Sequence, residues 1–103
     1  MPFDIFISDD HGNPSNTIQL FLEDFDIISE LVKNNSKFPL LQKIFLNYYQ
    51  DAEVFMKDLN NFKSELIFVL EGSNKVNKDV VHQLLQLVDF AIENRKTLKF
   101  AGD

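Results

Sequence analysis

The chain has 103 residues, of which 45% are apolar, with only three Gly and three Pro. This is enough for one core and one domain over residues 1–103, and too apolar for a disordered segment. The absence of Cys excludes disulfides, thiolate nucleophiles and Cys-bound zinc, and the net charge of −6 disfavours direct contact with nucleic acid, whose phosphates require a cationic footprint.

Phe3-Asp4-Ile5-Phe6-Ile7-Ser8 alternates in polarity and predicts a strand with Phe3, Ile5 and Ile7 on one face. Residues 9–16 are dense in turn formers. Thr17–Leu22 alternates again, with Ile18, Leu20 and Leu22 inward, so an antiparallel hairpin is expected, with Phe6 and Phe21 on its other face. A helix is expected to open at Glu23 or Asp24, with its acids in the first turn, and to run to Asn34. Phe25, Ile28, Leu31 and Val32 supply its apolar side, and residues 34–37 form a loop.

In residues 38–72 apolar side chains recur at Leu41, Phe45, Tyr48, Ala52, Phe55, Leu59, Phe62, Leu66 and Val69, the spacing of a single helical stripe. One helix of that length would run about 50 Å, long for so small a domain. A short helix from Pro39 to Asn47, an extended piece near 52–56 and a helix from Leu59 to Glu71, capped by Asp58, are expected instead. Gly72 is expected to cap that helix at its C-terminal end. Asn77 is expected to cap a last helix through Asn94 that buries Val80, Val81, Leu84, Leu87, Val88 and Ala91. Residues 97–100 should add a strand to the hairpin, with 101–103 as a tail. The expected fold class is therefore α+β, a small antiparallel sheet of the N-terminal hairpin and the C-terminal strand packed against three to four helices.

Charge carries the strongest functional signal. Residues 1–32 hold Asp4, Asp9, Asp10, Glu23, Asp24, Asp26 and Glu30 with no Lys or Arg, while the remaining nine acids face ten bases. An anionic third of this kind steers basic partners, and equally serves as a solvated face that keeps a Phe-rich chain dispersed. Tyr48 and Tyr49 offer rigid amphipathic contact area, unless one of them caps the core. The candidate partner-binding residues are thus Asp9, Asp10, Glu23, Asp24, Asp26, Glu30, Tyr48 and Tyr49. Asp9-Asp10-His11 resembles a metal or proton-transfer cluster, but it lacks the calcium-loop spacing, and the only other His is His82. A polar hairpin loop is the stronger reading. No Gly-rich phosphate loop and no nucleophile elbow is present, so no catalytic residue, metal or cofactor is assigned. Eleven Phe imply an aromatic core with a surplus at the surface. The start of the chain does not read as a signal peptide and no apolar run reaches about 18 residues, which suggests a cytoplasmic location without a membrane span.

Phe38-Pro39-Leu40-Leu41, Tyr49-Gln50-Asp51-Ala52-Glu53-Val54-Phe55 and Leu98-Lys99-Phe100-Ala101-Gly102-Asp103 resemble segments of a group of small bacterial proteins. In that group an aromatic-Pro-Leu-Leu opening leads to Tyr-Gly-Asp-Thr-Val-Phe, and the chain ends in Lys-Phe-x-Gly-Asp. Here Gln50 stands in place of the Gly and Glu53 is an extra residue. Size, acidity and this likeness also resemble the immunity proteins of bacterial toxin systems. That resemblance implies a non-enzymatic antitoxin-like role, binding and blocking a basic toxin domain, a nuclease above all, and the charge placement makes the acidic N-terminal face the expected contact. The alternatives are a small hydrolase or metal-dependent enzyme centred on Asp9, Asp10 and His11, and an adaptor that self-associates through its surplus Phe.

Overall fold

The computed structural model describes residues 3–102. In chain order the elements are β1 (Phe3–Ser8), β2 (Pro14–Leu20), α1 (Leu22–Val32), α2 (Pro39–Ile44), β3 (Ala52–Val54), a 3-10 turn (Met56–Asp58), α3 (Leu59–Gly72), α4 (Lys78–Asn94) and β4 (Leu98–Ala101). The fold is α+β. Its four strands form one antiparallel sheet in the order β2-β1-β4-β3, so the first and last strands lie side by side at its centre. Alternation in β1 and β4 sends Phe3, Ile5, Ile7, Leu98 and Phe100 to the core face, where they join the buried sides of the helices in a single apolar cluster. Asp4, Phe6, Ser8, Lys99 and Ala101 occupy the other face and are partly exposed.

The hairpin forms as expected but in a different register. β2 begins at Pro14, not Thr17, because an extra residue is accommodated by a bulge: Ile5 pairs with Ile18 but Ile7 with Ser15, and Asn16 takes φ 56°. Asn is among the few non-Gly residues that tolerate that left-handed conformation. The ladder ends where Leu20 meets Phe3. The chain therefore turns into α1 at once: Phe21 becomes the helix N-cap, 60% exposed, and Leu22 is the first helical residue, also exposed. Neither the inward Leu22 nor the place of Phe21 on the hairpin's other face is realised. α1 also stops at Val32, two residues short of Asn34, although Phe25, Ile28 and Val32 are buried as their spacing requires.

The central stretch breaks near the expected places. α2 ends at Ile44, before Asn47, whose side chain accepts from the Tyr49 N–H at 2.9 Å and shapes a turn. Ala52–Val54 then pairs with Leu98–Phe100 as the fourth strand. The apolar stripe survives the break, since Leu41, Phe45, Tyr48, Leu59, Phe62, Leu66 and Val69 are all buried, but Phe55 is turned outward. Two expected caps are absent: the Asp58 side chain makes no capping bond to α3, and Gly72 closes α3 as its last residue with Ser73 after it in extended conformation. Asn77 does cap α4, accepting from the Asp79 and Val80 N–H groups. Asp103, in the expected tail, lies outside the described residues.

Two of the three segments that carry the resemblance, residues 49–55 and 98–102, come together. β3 pairs with β4, and the Gly102 N–H donates to Asp51 Oδ1 at 2.9 Å. Gly102 lies so close to the Tyr49–Gln50 peptide that a Cβ there would sit 2.7 Å from the Gln50 carbonyl oxygen and closer still to the Tyr49 carbonyl carbon. Backbone cannot rotate out of the way as a side chain can. Gly102→Ala is therefore expected to cost about 2–3 kcal/mol, read as a lower urea midpoint with an unchanged m-value. A variant as stable as the parent would show that this approach is not a constraint.

Candidate functional site

The expected acidic face divides between two ends of the hairpin. Asp9 and Asp10 sit at its tip, whereas Glu23 and Asp24 open α1 after Leu20, about 20 Å away along β2 at the strand rise. At the tip, Asp9 Oδ1 accepts from the backbone N–H groups of His11 and Asn13 at 2.9 and 2.8 Å, the geometry of a self-contained turn. Asp10 pairs with Lys96 at 3.0 Å, which tethers the tip to the residues just after α4. Asp9 is thus engaged in shaping the loop, while Asp10 stays exposed beside Lys96. Among the described residues no three His, Asp or Glu side chains converge as a metal site would require.

The other acids share one helix. Glu23 and Asp24 lie in the first turn of α1, where they also offset its dipole; Asp24 is half-buried and Glu23 exposed. Asp26 and Glu30 are exposed one turn apart, and between them Ile27 and Leu31 floor a concavity of about 420 Å³ closed on the far side by Lys75. Glu30 also forms a surface pair with Lys33 at 2.9 Å. The two tyrosines part company: Tyr48 is 6% exposed, its ring 5.1 Å from Phe25 and 5.9 Å from Phe3 and its hydroxyl donating to the Leu20 carbonyl at 3.4 Å. It caps the core, while Tyr49 is 67% exposed. The surface surplus of Phe consists, among the described residues, of Phe21, Phe55, Phe68 and Phe90.

One residue was not anticipated. Glu65, on α3, is 6% exposed, and its carboxylate accepts from the N–H groups of Leu40 and Leu41 at the start of α2, at 3.1 and 2.9 Å through Oε1. α2 has no side-chain cap of its own and begins with Phe38-Pro39, so a carboxylate from a distant helix satisfies its first donors. Desolvation by burial holds the Glu65 carboxyl above its ordinary 4.5, against the opposing effect of the Leu41 and Leu40 hydrogen bonds. A signal for it existed: Glu65 lies three residues after Phe62 and four before Val69, on the same helical side as Leu66, which places an acid at a core position.

Glu65 also lines a cleft of about 460 Å³ beside Leu40, Asp58, Asn61 and Phe68. Phe68 and Lys37 are shared with a neighbouring hollow of about 220 Å³. Leu31 in turn belongs both to that hollow and to the Asp26–Glu30 concavity. The three hollows share these lining residues and so neighbour one another along a groove-like path from α1 past Phe68 to the start of α3. Comparison with protein-family models, with characterised proteins and with solved structures gives no match to this chain.

Proposed function

We propose that the chain is a non-enzymatic, cytoplasmic binding protein of the immunity or antitoxin kind, which occludes a basic toxin domain, a nuclease being the best-suited class. The supporting observation is the flank of α1, where the exposed carboxylates of Asp26 and Glu30 border an apolar floor of Ile27 and Leu31. Carboxylates around an apolar patch combine long-range attraction for a basic surface with area that can be desolvated on docking. The resemblance to immunity proteins points the same way. No helix of the described residues is long and apolar enough to cross a membrane. Of the sequence candidates, Glu23, Asp24, Asp26, Glu30 and Tyr49 remain in this reading; Asp9 shapes the hairpin tip, Asp10 stands there beside Lys96, and Tyr48 holds the core.

The reading predicts a toxin domain encoded beside this chain: co-expression should rescue growth, and the purified pair should associate faster at low salt than at high salt. Reversing Asp26 and Glu30 to Lys should slow association at low salt on the order of tenfold and leave the urea midpoint unchanged, whereas Lys78→Glu should change little. Association indifferent to salt and to the double reversal would refute the acidic-face reading.

A further inference from the structure

The cleft beside Phe68 is lined by a carboxyl group that forms no ion pair among the described residues. Glu65 is buried, yet among the described residues the ion pairs are Lys33–Glu30, Lys63–Asp89 and Lys96–Asp10, and none includes it. Its hydrogen-bond donors are two neutral amides. They are concentrated on Oε1, whereas Oε2 receives one long contact of 3.3 Å from Leu40 N–H, so Oε2 keeps acceptor capacity that these donors do not use. One turn further along α3 stands Phe68, 58% exposed and adjacent to Glu65 by its spacing of three. Along the three neighbouring hollows Asp26, Glu30, Asp58 and Glu65 outnumber Lys37 and Lys75.

We propose that this cleft seats an arginine side chain of the basic protein partner, with its guanidinium between the Glu65 carboxylate and the Phe68 ring. The inference rests on the binding role proposed above and names the chemistry of the partner's anchoring group. Charge complementarity selects a cation, and the aromatic wall selects among cations. A guanidinium is planar, less strongly hydrated than an ammonium and able to stack on a ring while donating in its own plane, so it loses less than lysine on entering a partly closed cleft. Leu40 gives the aliphatic stem an apolar surface. Because burial disfavours the ionised form of Glu65, a cation arriving at Oε2 recovers stabilisation that the free protein lacks. The exposed acids of α1, which border a hollow on the same path, would guide the segment that carries the arginine.

The test uses the full chain and a defined probe. N-acetyl-arginine amide is titrated at pH 7 against backbone amide NMR shifts, with N-acetyl-citrulline amide, the uncharged isostere, in parallel. A saturable response with Kd on the order of millimolar is expected, appropriate to one anchoring group, with Leu40 and Leu41 amides among those that move, since their N–H groups already bond Glu65. Citrulline should leave them in place. Glu65→Gln should abolish the response, and Phe68→Ala, a change at an exposed ring that does not threaten folding, should weaken it at least about threefold. Equal responses to both probes, no movement at Leu40 and Leu41, or a response undiminished by Phe68→Ala would overturn the arginine site. If that occurs while association with the toxin domain still depends on Asp26 and Glu30, the anchoring cleft is lost and the acidic-face reading stands. An arginine response with no toxin binding at all would separate the two in the opposite sense.

Discussion

Phe3→Ala is expected to remove about 3–5 kcal/mol of stability, while Phe21→Ala, at the same end of the sheet, should cost less than about 0.5 kcal/mol. Phe3 is fully buried on the central strand, its ring centroid 5.1 Å from Phe25, 5.9 Å from Tyr48, 5.9 Å from Phe100 and 6.3 Å from Phe45. It is therefore the point at which β1, β4, α1 and the α2–β3 segment meet. Truncation leaves a cavity among rings that cannot collapse into it, and also removes the edge-to-face and stacked pairings. Since domains of this size are stable by about 5–15 kcal/mol, the variant should melt early or not fold at 37 °C. Circular dichroism melts of the two variants side by side would decide the matter. Comparable losses at both positions would mean that the aromatic cluster is not the centre of the core.

Glu65 offers the second large effect, with a sign that depends on the replacement and on pH. Glu65→Ala strips the Leu40 and Leu41 N–H groups of their acceptor and opens space in the core; a loss of about 2–4 kcal/mol is expected. Glu65→Gln keeps a carbonyl acceptor but no charge, and so isolates the titration. Burial raises the native carboxyl above its ordinary 4.5, so between the unfolded and native values the native state holds more protons than the unfolded one. In that window stability falls as pH rises. The contribution of the carboxyl is fully present below the unfolded value and is lost as pH passes through the raised native one. Other groups are common to both proteins and cancel in the difference. The stability of the parent minus that of Glu65→Gln should accordingly decline from pH 4 toward pH 7, as measured by urea midpoints across that range. A flat or rising difference would show that the helix-end hydrogen bonds, not desolvation, dominate at this site.

How far the chain could be read in advance varied with how local the controlling interaction was. β1, α1 and α4 follow from alternation and helical spacing, because each buries one face whatever lies opposite. Asn77 could be recognised as a cap for the same reason: its bonds reach only Asp79 and Val80. The start of β2 could not be read, since the bulge at Asn16 is visible only as a shift in pairing with β1. Nor could the place of Tyr48 be settled, because its burial depends on Phe3 and Phe25 arriving from other segments. The acids of α1 were identified by charge alone, but their grouping with Ile27, Leu31 and Lys75 required the α3–α4 connection to fold back over the helix.

By itself the sequence determined an α+β domain with a hairpin, a broken central stretch, a long final helix and an acidic first third, since polarity period and charge are properties of neighbours along the chain. Tertiary structure alone decided that β1 and β4 lie side by side, that Gly102 presses on the Tyr49–Gln50 peptide, and that the hairpin-tip acids stand apart from those of α1. It alone decided, too, that a glutamate of α3 would close the start of α2 and line a cleft without an ion pair to it among the described residues. Such outcomes depend on which distant groups meet, and on the cost of leaving a buried donor or charge unanswered, which no local pattern records.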